Sequence, residues 1–261
     1  MYARCISGNV TGGCPRGCLR IRQAGLDALP RTSTTPANFI QADAPLANLA
    51  QEYLTSLLGG ERNTASRLIL DAVKQGTSVK EIYLNVFQRS QREIGRLWQT
   101  NQVSVAQEHY CTAATQLIMS QLYPYIFSGE KSGRKLVVTC IGGELHEIGA
   151  RMVADFFELE GWDTYFLGAN TPTDSILRTL DERGADALAV SATMTFHVNH
   201  VAELMDNVKR SGAGRQPKIM VGGYSFNFSR NLWKTLGADG YARDAQDAIS
   251  MAMAWQIADR G

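Results

Sequence analysis

No uninterrupted apolar run in this chain approaches the roughly 20 residues needed to cross a bilayer. The opening stretch, MYARCISGNVTGGCPRGCLR, lacks the continuous apolar segment of a secretory signal. A cytoplasmic protein without a membrane span is therefore expected. Charge of one sign is also missing: 26 Lys and Arg against 25 Asp and Glu leave a formal net charge of +1, too little to attract a polyanion. Direct DNA binding is not expected on that ground. Five cysteines are too few and too unevenly spread for a disulfide scaffold. Cys111 and Cys140 sit in apolar segments and read as small buried hydrophobes. Cys5, Cys14 and Cys18 share a Gly-rich, poorly periodic stretch. Cys14 and Cys18 have the spacing of a zinc half-site, but no nearby His or second Cys pair completes four ligands.

What is present divides into three regions. Residues 1–42 show little amphipathic order, and the segment PRTSTTP from Pro30 to Pro36 reads as a linker. They are expected to form a poorly ordered extension. Over residues 43–128 apolar side chains recur at helical spacing. Leu46, Leu49, Ala50, Tyr53 and Leu54 mark one helix, and Ala65, Leu68, Ile69, Ala72 and Val73 a second. Gly59-Gly60 separates the two, and Ser78 supplies an N-cap for a third that carries Ile82, Val86, Ile94 and Leu97. A fourth runs from Ser104 toward Leu122. Four helices with short connections predict an antiparallel bundle.

After Ser128-Gly129 the period changes, and residues 133–261 alternate short β-branched runs with helical stretches. Arg134 to Cys140, Asp163 to Leu167, Ala187 to Ser191 and Lys218 to Val221 read as buried strands. A short last strand is expected over Gly240 to Ala242. The alternation predicts an α/β, Rossmann-like (flavodoxin-like) parallel sheet with right-handed crossovers.

In such a sheet, ligands bind beyond the carboxyl ends of the strands. The loop after the first strand reads Gly142-Gly143-Glu144-Leu145-His146-Glu147-Ile148-Gly149 and opens a helix. An imidazole there can project toward a bound metal, while a carboxylate two residues earlier holds its other ring nitrogen and sets the tautomer. Gly149 would let a bulky ligand approach the backbone. Glu147 reads as an ordinary first-turn carboxylate favoured by the helix dipole. Two further elements fall at strand ends: Ser191-Ala192-Thr193 after 41 intervening residues, and Gly222-Gly223 after another 28. Small hydroxyls and adjacent glycines would open a slot for a planar heterocycle and its tail. His197 and His200 follow the Ser191 element about one helical turn apart, either as a metal pair or as solvent-facing residues at the pocket rim.

These three elements resemble the Asp-x-His-x-x-Gly, Ser-x-Leu/Thr and Gly-Gly motifs of the B12-binding domains of methionine synthase, the mutases and corrinoid proteins. The resemblance implies a cobalamin cofactor, with His146 as lower axial cobalt ligand in place of dimethylbenzimidazole. The displaced tail would run past Ser191 and Thr193 beside Gly222 and Gly223. Glu144 stands where the family usually has Asp.

The resemblance extends into the bundle, where Trp98 is followed, after nine intervening residues, by Glu108-His109. This is similar to a Trp-x9-Glu-His motif of the CarH-like photosensory B12 proteins, whose bundle covers the upper corrin face. It implies a lid in which Trp98 packs against the upper axial group, an adenosyl or a hydroxo/aquo ligand. Gln99 replaces the His that follows the Trp in those sensors, which leaves His109 as the nearest second ligand by elimination. The roughly 40 residues before the bundle are too short and too rich in turn formers to read as the winged-helix DNA-binding domain of those sensors, so the chain looks like the AerR/PpaA group of antirepressors. That likeness implies a light-sensing, non-enzymatic regulator acting through a partner repressor of the CrtJ/PpsR type. The alternatives are a corrinoid-carrier subunit of a methyltransferase system and a cofactor-free interaction module on the same fold.

Overall fold

The computed structural model describes residues 39–127, 129–211, 216–227 and 231–258, with side chains described as far as Trp255. The expected N-terminal extension up to residue 38, and with it Cys5, Cys14 and Cys18, lies outside the described residues.

Four principal helices form the first half: α1 (Ala47–Leu58), α2 (Arg62–Lys74), α3 and α4 (Val105–Gln121). Helix α3 runs on through three consecutive segments, Val79–Glu81, a π-helical Ile82–Phe87 and Gln88–Gln99. Its start is fixed by Ser78, whose hydroxyl accepts from the Glu81 amide while the Glu81 carboxylate accepts from the Ser78 amide. Ser104 and Gln107 repeat this reciprocal cap at the start of α4. Each pair satisfies two amides that a helix start otherwise leaves without partners. The π-helical turn inserts an extra residue per hydrogen-bonded ring, a feature often found at functional segments. Here it carries Tyr83 and Phe87, fully buried and 5.3 Å apart between ring centroids.

The second half is a five-stranded, all-parallel sheet in the order β2-β1-β3-β4-β5. The strands are β1 (Lys135–Ile141), β2 (Asp163–Thr171), β3 (Ala187–Ser191), β4 (Lys218–Gly222) and β5 (Gly240–Tyr241). The helices between and after them are α5 (Ile148–Leu159), α6 (Thr173–Arg183), α7 (Val198–Arg210) and α8 (Ala245–Ala258). This is the flavodoxin-like strand order, which reverses direction between β1 and β3 and opens a crevice at their carboxyl ends. β2 runs four residues beyond the expected Leu167, and the register between β1 and β2 shifts on either side of Thr139. Gly168, at a φ of +77°, lies in that extension, where the left-handed backbone is easiest for glycine.

Side chains of β1 alternate between two cores, as a period of two dictates. Leu136, Val138 and Cys140 join a core made with α5, α8 and the four-helix bundle. Val137 and Ile141 join the opposite core, under α6 and α7. One face of the sheet is thus covered by α6 and α7. The other carries α5, α8 and the bundle, whose apolar interior is continuous with that of the α/β half. No helix among the described residues is long and apolar enough to cross a membrane.

Candidate cofactor site

The β1/β3 crevice is built around one carboxylate. Glu144 follows β1, is wholly buried, and accepts five hydrogen bonds. Its Oε1 accepts from the His146 amide at 3.0 Å and from His146 Nδ1 at 2.5 Å. Its Oε2 accepts from the Thr193 and Met194 amides, at 2.7 and 3.0 Å, and from His197 Nδ1 at 3.1 Å. Burial alone would raise the Glu144 pKa. The bonds from His146, Met194 and His197 outweigh it and hold the group well below the usual carboxylate range. The same bond to Glu144 raises His146 above its ordinary value against the opposing effect of burial, and the Glu108 charge adds to the rise.

An ionised carboxylate can only accept, so Nδ1 of His146 carries a proton and, in the neutral ring, Nε2 keeps its lone pair. That nitrogen has no hydrogen-bond partner among the described residues, and the side chain is 57% exposed. Exposed apolar side chains follow the carboxyl ends of three neighbouring strands: Leu145 after β1, Met194 and Phe196 after β3, and Tyr224 after β4. Exposed apolar groups gathered at one sheet edge mark a ligand surface. A nitrogen donor with a fixed tautomer, at a sheet edge that carries exposed apolar side chains, fits a flat macrocycle with a central metal. Gly149 faces open space at the first turn of α5, with nothing within 4 Å of where its Cβ would stand.

At Ser191, Thr193, Gly222 and Gly223 the ends of β3 and β4 are held side by side by backbone contacts. The Ala192 amide donates to the Gly222 carbonyl at 3.0 Å, and the Ser225 hydroxyl to the Thr193 carbonyl at 2.9 Å. A Cβ on Gly223, whose φ is +97°, would fall 2.5 Å from the Ala192 oxygen. Gly223 lets the chain after β4 pass against the Ala192 backbone, and Thr193 contributes its amide to Glu144. The Ser191 backbone pairs in register with Cys140 and Gly222.

Helix α4 reaches this site from the bundle. Glu108, in its first turn, is close enough for its charge to act on His146. Glu108 accepts from the Thr112 hydroxyl at 3.0 Å and lies 2.6 Å from His109 Nδ1. The His109 side chain is exposed and its ring pairs with the neighbouring Glu108. Trp98 is 45% exposed near the end of α3, one short turn before α4, so it shares that end of the bundle with Glu108.

Two residues have roles that local reading missed. Glu147 is a strut: Gln116 of α4 donates to its Oε1 at 2.6 Å, and the Ala169 amide donates to its Oε2 at 2.8 Å. His197 does not face solvent: it is buried against Glu144. Its signal lay in the strand order, because β1 next to β3 brings the two loops together.

A flavodoxin-like sheet with a tautomer-locked imidazole at its switch point, capped by a helical bundle, defines a two-part cofactor-binding architecture. Residues 134–250 match the family described as B12 binding domain, and residues 49–123 match a second family of the same description. The chain is a cobalamin-binding protein. A corrinoid protein of Desulfitobacterium hafniense is 23% identical over 213 residues, covering 79% of this chain and 97% of that protein. The dimethylamine corrinoid protein of Methanosarcina barkeri is 28% identical over 135 residues, 51% of this chain and 62% of its own length. In fold, the chain is similar to the monomethylamine corrinoid protein of Methanosarcina barkeri, with a TM-score of 0.71 at 19% identity over 80% of this chain and 99% of that one.

Proposed function

We propose that this protein is a cobalamin-dependent, light-responsive regulator of the AerR/PpaA kind, acting as a cytoplasmic antirepressor on a partner of the CrtJ/PpsR type and not as an enzyme. The observation that carries the reading is the turn between α3 and α4: Trp98 and Gln99 close α3, Glu108 and His109 lie at the start of α4, and Glu108 is near enough to act on His146. When bound, cobalamin would supply a cobalt centre with light-sensitive ligand chemistry. His146 would hold that centre from below through Nε2, with Nδ1 kept protonated by Glu144. Trp98 would present a rigid apolar plane from above. A ligand change felt by Trp98 moves the bundle only if the two bundle positions differ in free energy between ligand states. The bundle is tied to the α/β half by polar struts, including Gln116–Glu147 and the Arg151 bonds to the Ser120 and Tyr123 hydroxyls, which such a change would bias.

The second reading is a corrinoid carrier of a methyltransferase system. The names of the relatives favour it over a sensor, since two of the proteins compared above are named as methylamine corrinoid proteins. One set of measurements separates the two. Holoprotein is reconstituted with adenosyl-, methyl- and hydroxocobalamin, and spectra are recorded in darkness and after illumination for wild type and His146→Ala. The sensor reading expects a light-dependent spectrum together with a light-dependent affinity for the repressor. Methyl transfer from the methylcobalamin form to a thiol acceptor with partner enzymes, without any effect of light on repressor binding, would install the carrier reading in its place.

A further inference from the structure

We propose that His197 is a positioning residue for the cobalt-facing histidine, acting through Glu144, and that it is the reason a glutamate serves at position 144. The inference rests on the reading of His146 as cobalt ligand. Glu144 bridges two imidazoles that come from different strand ends, with His146 Nδ1 on Oε1 and His197 Nδ1 on Oε2. The His197 ring is only 5% exposed and is gripped on several sides. Its Nε2 lies over Gly143, where a Cβ would come within 3.0 Å, and Phe196 meets it edge-on at 4.2 Å between centroids. His200 stacks on it at 5.9 Å and 23°, with its own Nδ1 3.2 Å from the Gly142 carbonyl. The His197 amide donates to the Met194 carbonyl at 3.0 Å, closing the turn that aims the ring at Glu144.

A ring fixed in this way sets where Oε2 can sit, and through the rigid carboxylate plane it sets where Oε1 meets His146. The Thr193 and Met194 amides hold the same oxygen, but both belong to the loop that His197 anchors from its far end. An aspartate would be shorter by one carbon–carbon bond, about 1.5 Å. It could not span from the β1 loop to a ring beyond β3 while keeping its other oxygen on His146. Glu144 and His197 therefore form a matched pair, the extra methylene of one answering the depth of the other.

The test compares His197→Ala, His197→Leu, His197→Asn and Glu144→Asp. Asn places an amide N–H near the position of Nδ1, whereas Ala and Leu provide no donor, and Leu fills the space should Ala fail to fold. The first readout is the nitrogen NMR signature of the His146 tautomer in cofactor-free protein. The second is the visible-spectrum balance between histidine-ligated and histidine-free cobalt in hydroxocobalamin-loaded protein. Ala or Leu is expected to mix the His146 tautomers and shift the ligation balance by about tenfold. Asn is expected to restore both, and Glu144→Asp combined with His197→Leu should be no worse than either alone. An unchanged tautomer in the donor-less variants, or an Asn variant as impaired as Leu, would overturn the proposal. Failure of His146 as cobalt ligand would show separately, as a holoprotein spectrum indifferent to His146→Ala, and the tautomer measurement would still judge the Glu144–His197 pairing.

Discussion

The Tyr83 hydroxyl, on the π-helical segment of the bundle, donates to Asp155 Oδ2 of the α/β half at 2.7 Å across a buried seam. Burial is the largest influence on Asp155 and raises it to about 6, with the Tyr83 bond and the Arg151 charge working against the rise. A carboxyl whose folded value lies above its unfolded one binds its proton more tightly when folded. Its contribution to stability is therefore full below the ordinary value near 4 and is lost as pH rises through about 6. At pH 8 the ionised form costs about 3 kcal/mol. Asp155→Asn keeps an acceptor for Tyr83 and removes that cost. Its melting temperature should exceed wild type by several degrees at pH 8, with the gain shrinking as pH falls from 6 toward 4. A pH-independent difference in differential scanning calorimetry would contradict the assignment.

Glu144 should behave in the opposite sense. Held below its ordinary value, it contributes stability above that value and loses it as pH falls. His146, raised by the same bond, reports the same interaction from the basic side, where stability is lost as pH climbs through its raised value. The two shifts describe one interaction and are not additive. Glu144→Gln replaces an acceptor of five donors by a group with a single acceptor oxygen, leaving several buried N–H groups unpaired. A loss of about 2–4 kcal/mol in urea unfolding at pH 7 is expected. A loss under about 1 kcal/mol would mean that these donors find other partners.

The two glycines at the strand ends should part company. Gly223→Ala meets the Ala192 backbone at 2.5 Å with a φ of +97°, so it should destabilise the cofactor-free protein by at least about 2 kcal/mol. Gly149→Ala meets nothing within 4 Å in the first turn of a helix, so it should stabilise that state by up to about 1 kcal/mol. If the corrin approaches the backbone there, the same variant lowers cobalamin affinity in equilibrium titration. Unchanged affinity would place the ring away from Gly149.

Trp98→Ala should leave the cofactor-free protein within about 0.5 kcal/mol of wild type, because the side chain is already 45% exposed. In holoprotein it should alter the spectrum of the form with a bulky upper ligand and speed loss of that ligand in the dark. Identical spectra and dark stability across adenosyl- and hydroxocobalamin would remove Trp98 from the upper face.

Much of this arrangement was legible because its signals are local. The 3.6-residue period that marks Tyr53, Ile69 and Ile94 as interior also sets which face of each helix packs. The β-branched runs that became β1, β3 and β4 need no distant partner to be recognised, and the spacing from His146 to Ser191 to Gly222 marks three successive strand ends. The extra length of β2 was not legible, since Gly168 and Asn170 read as loop formers and are held in the strand by their neighbours. The Asn170 side chain accepts from the Gly143 amide at 2.7 Å.

The amino-acid order by itself settled the element types, the parallel sheet and the carboxylate–imidazole pair at the end of β1, because each depends on residues a few positions apart. Folding alone decided that Glu144 would also take His197, that Gln116 would brace Glu147, that Asp155 would be buried against Tyr83, and that Gly223 would lie against Ala192. Those pairs lie 53, 31 and 72 residues apart, and Gly223 meets Ala192 only once β3 and β4 are side by side. Propensity and periodicity carry no information at such separations. Crossover handedness and the order in which strands pair bring those residues together.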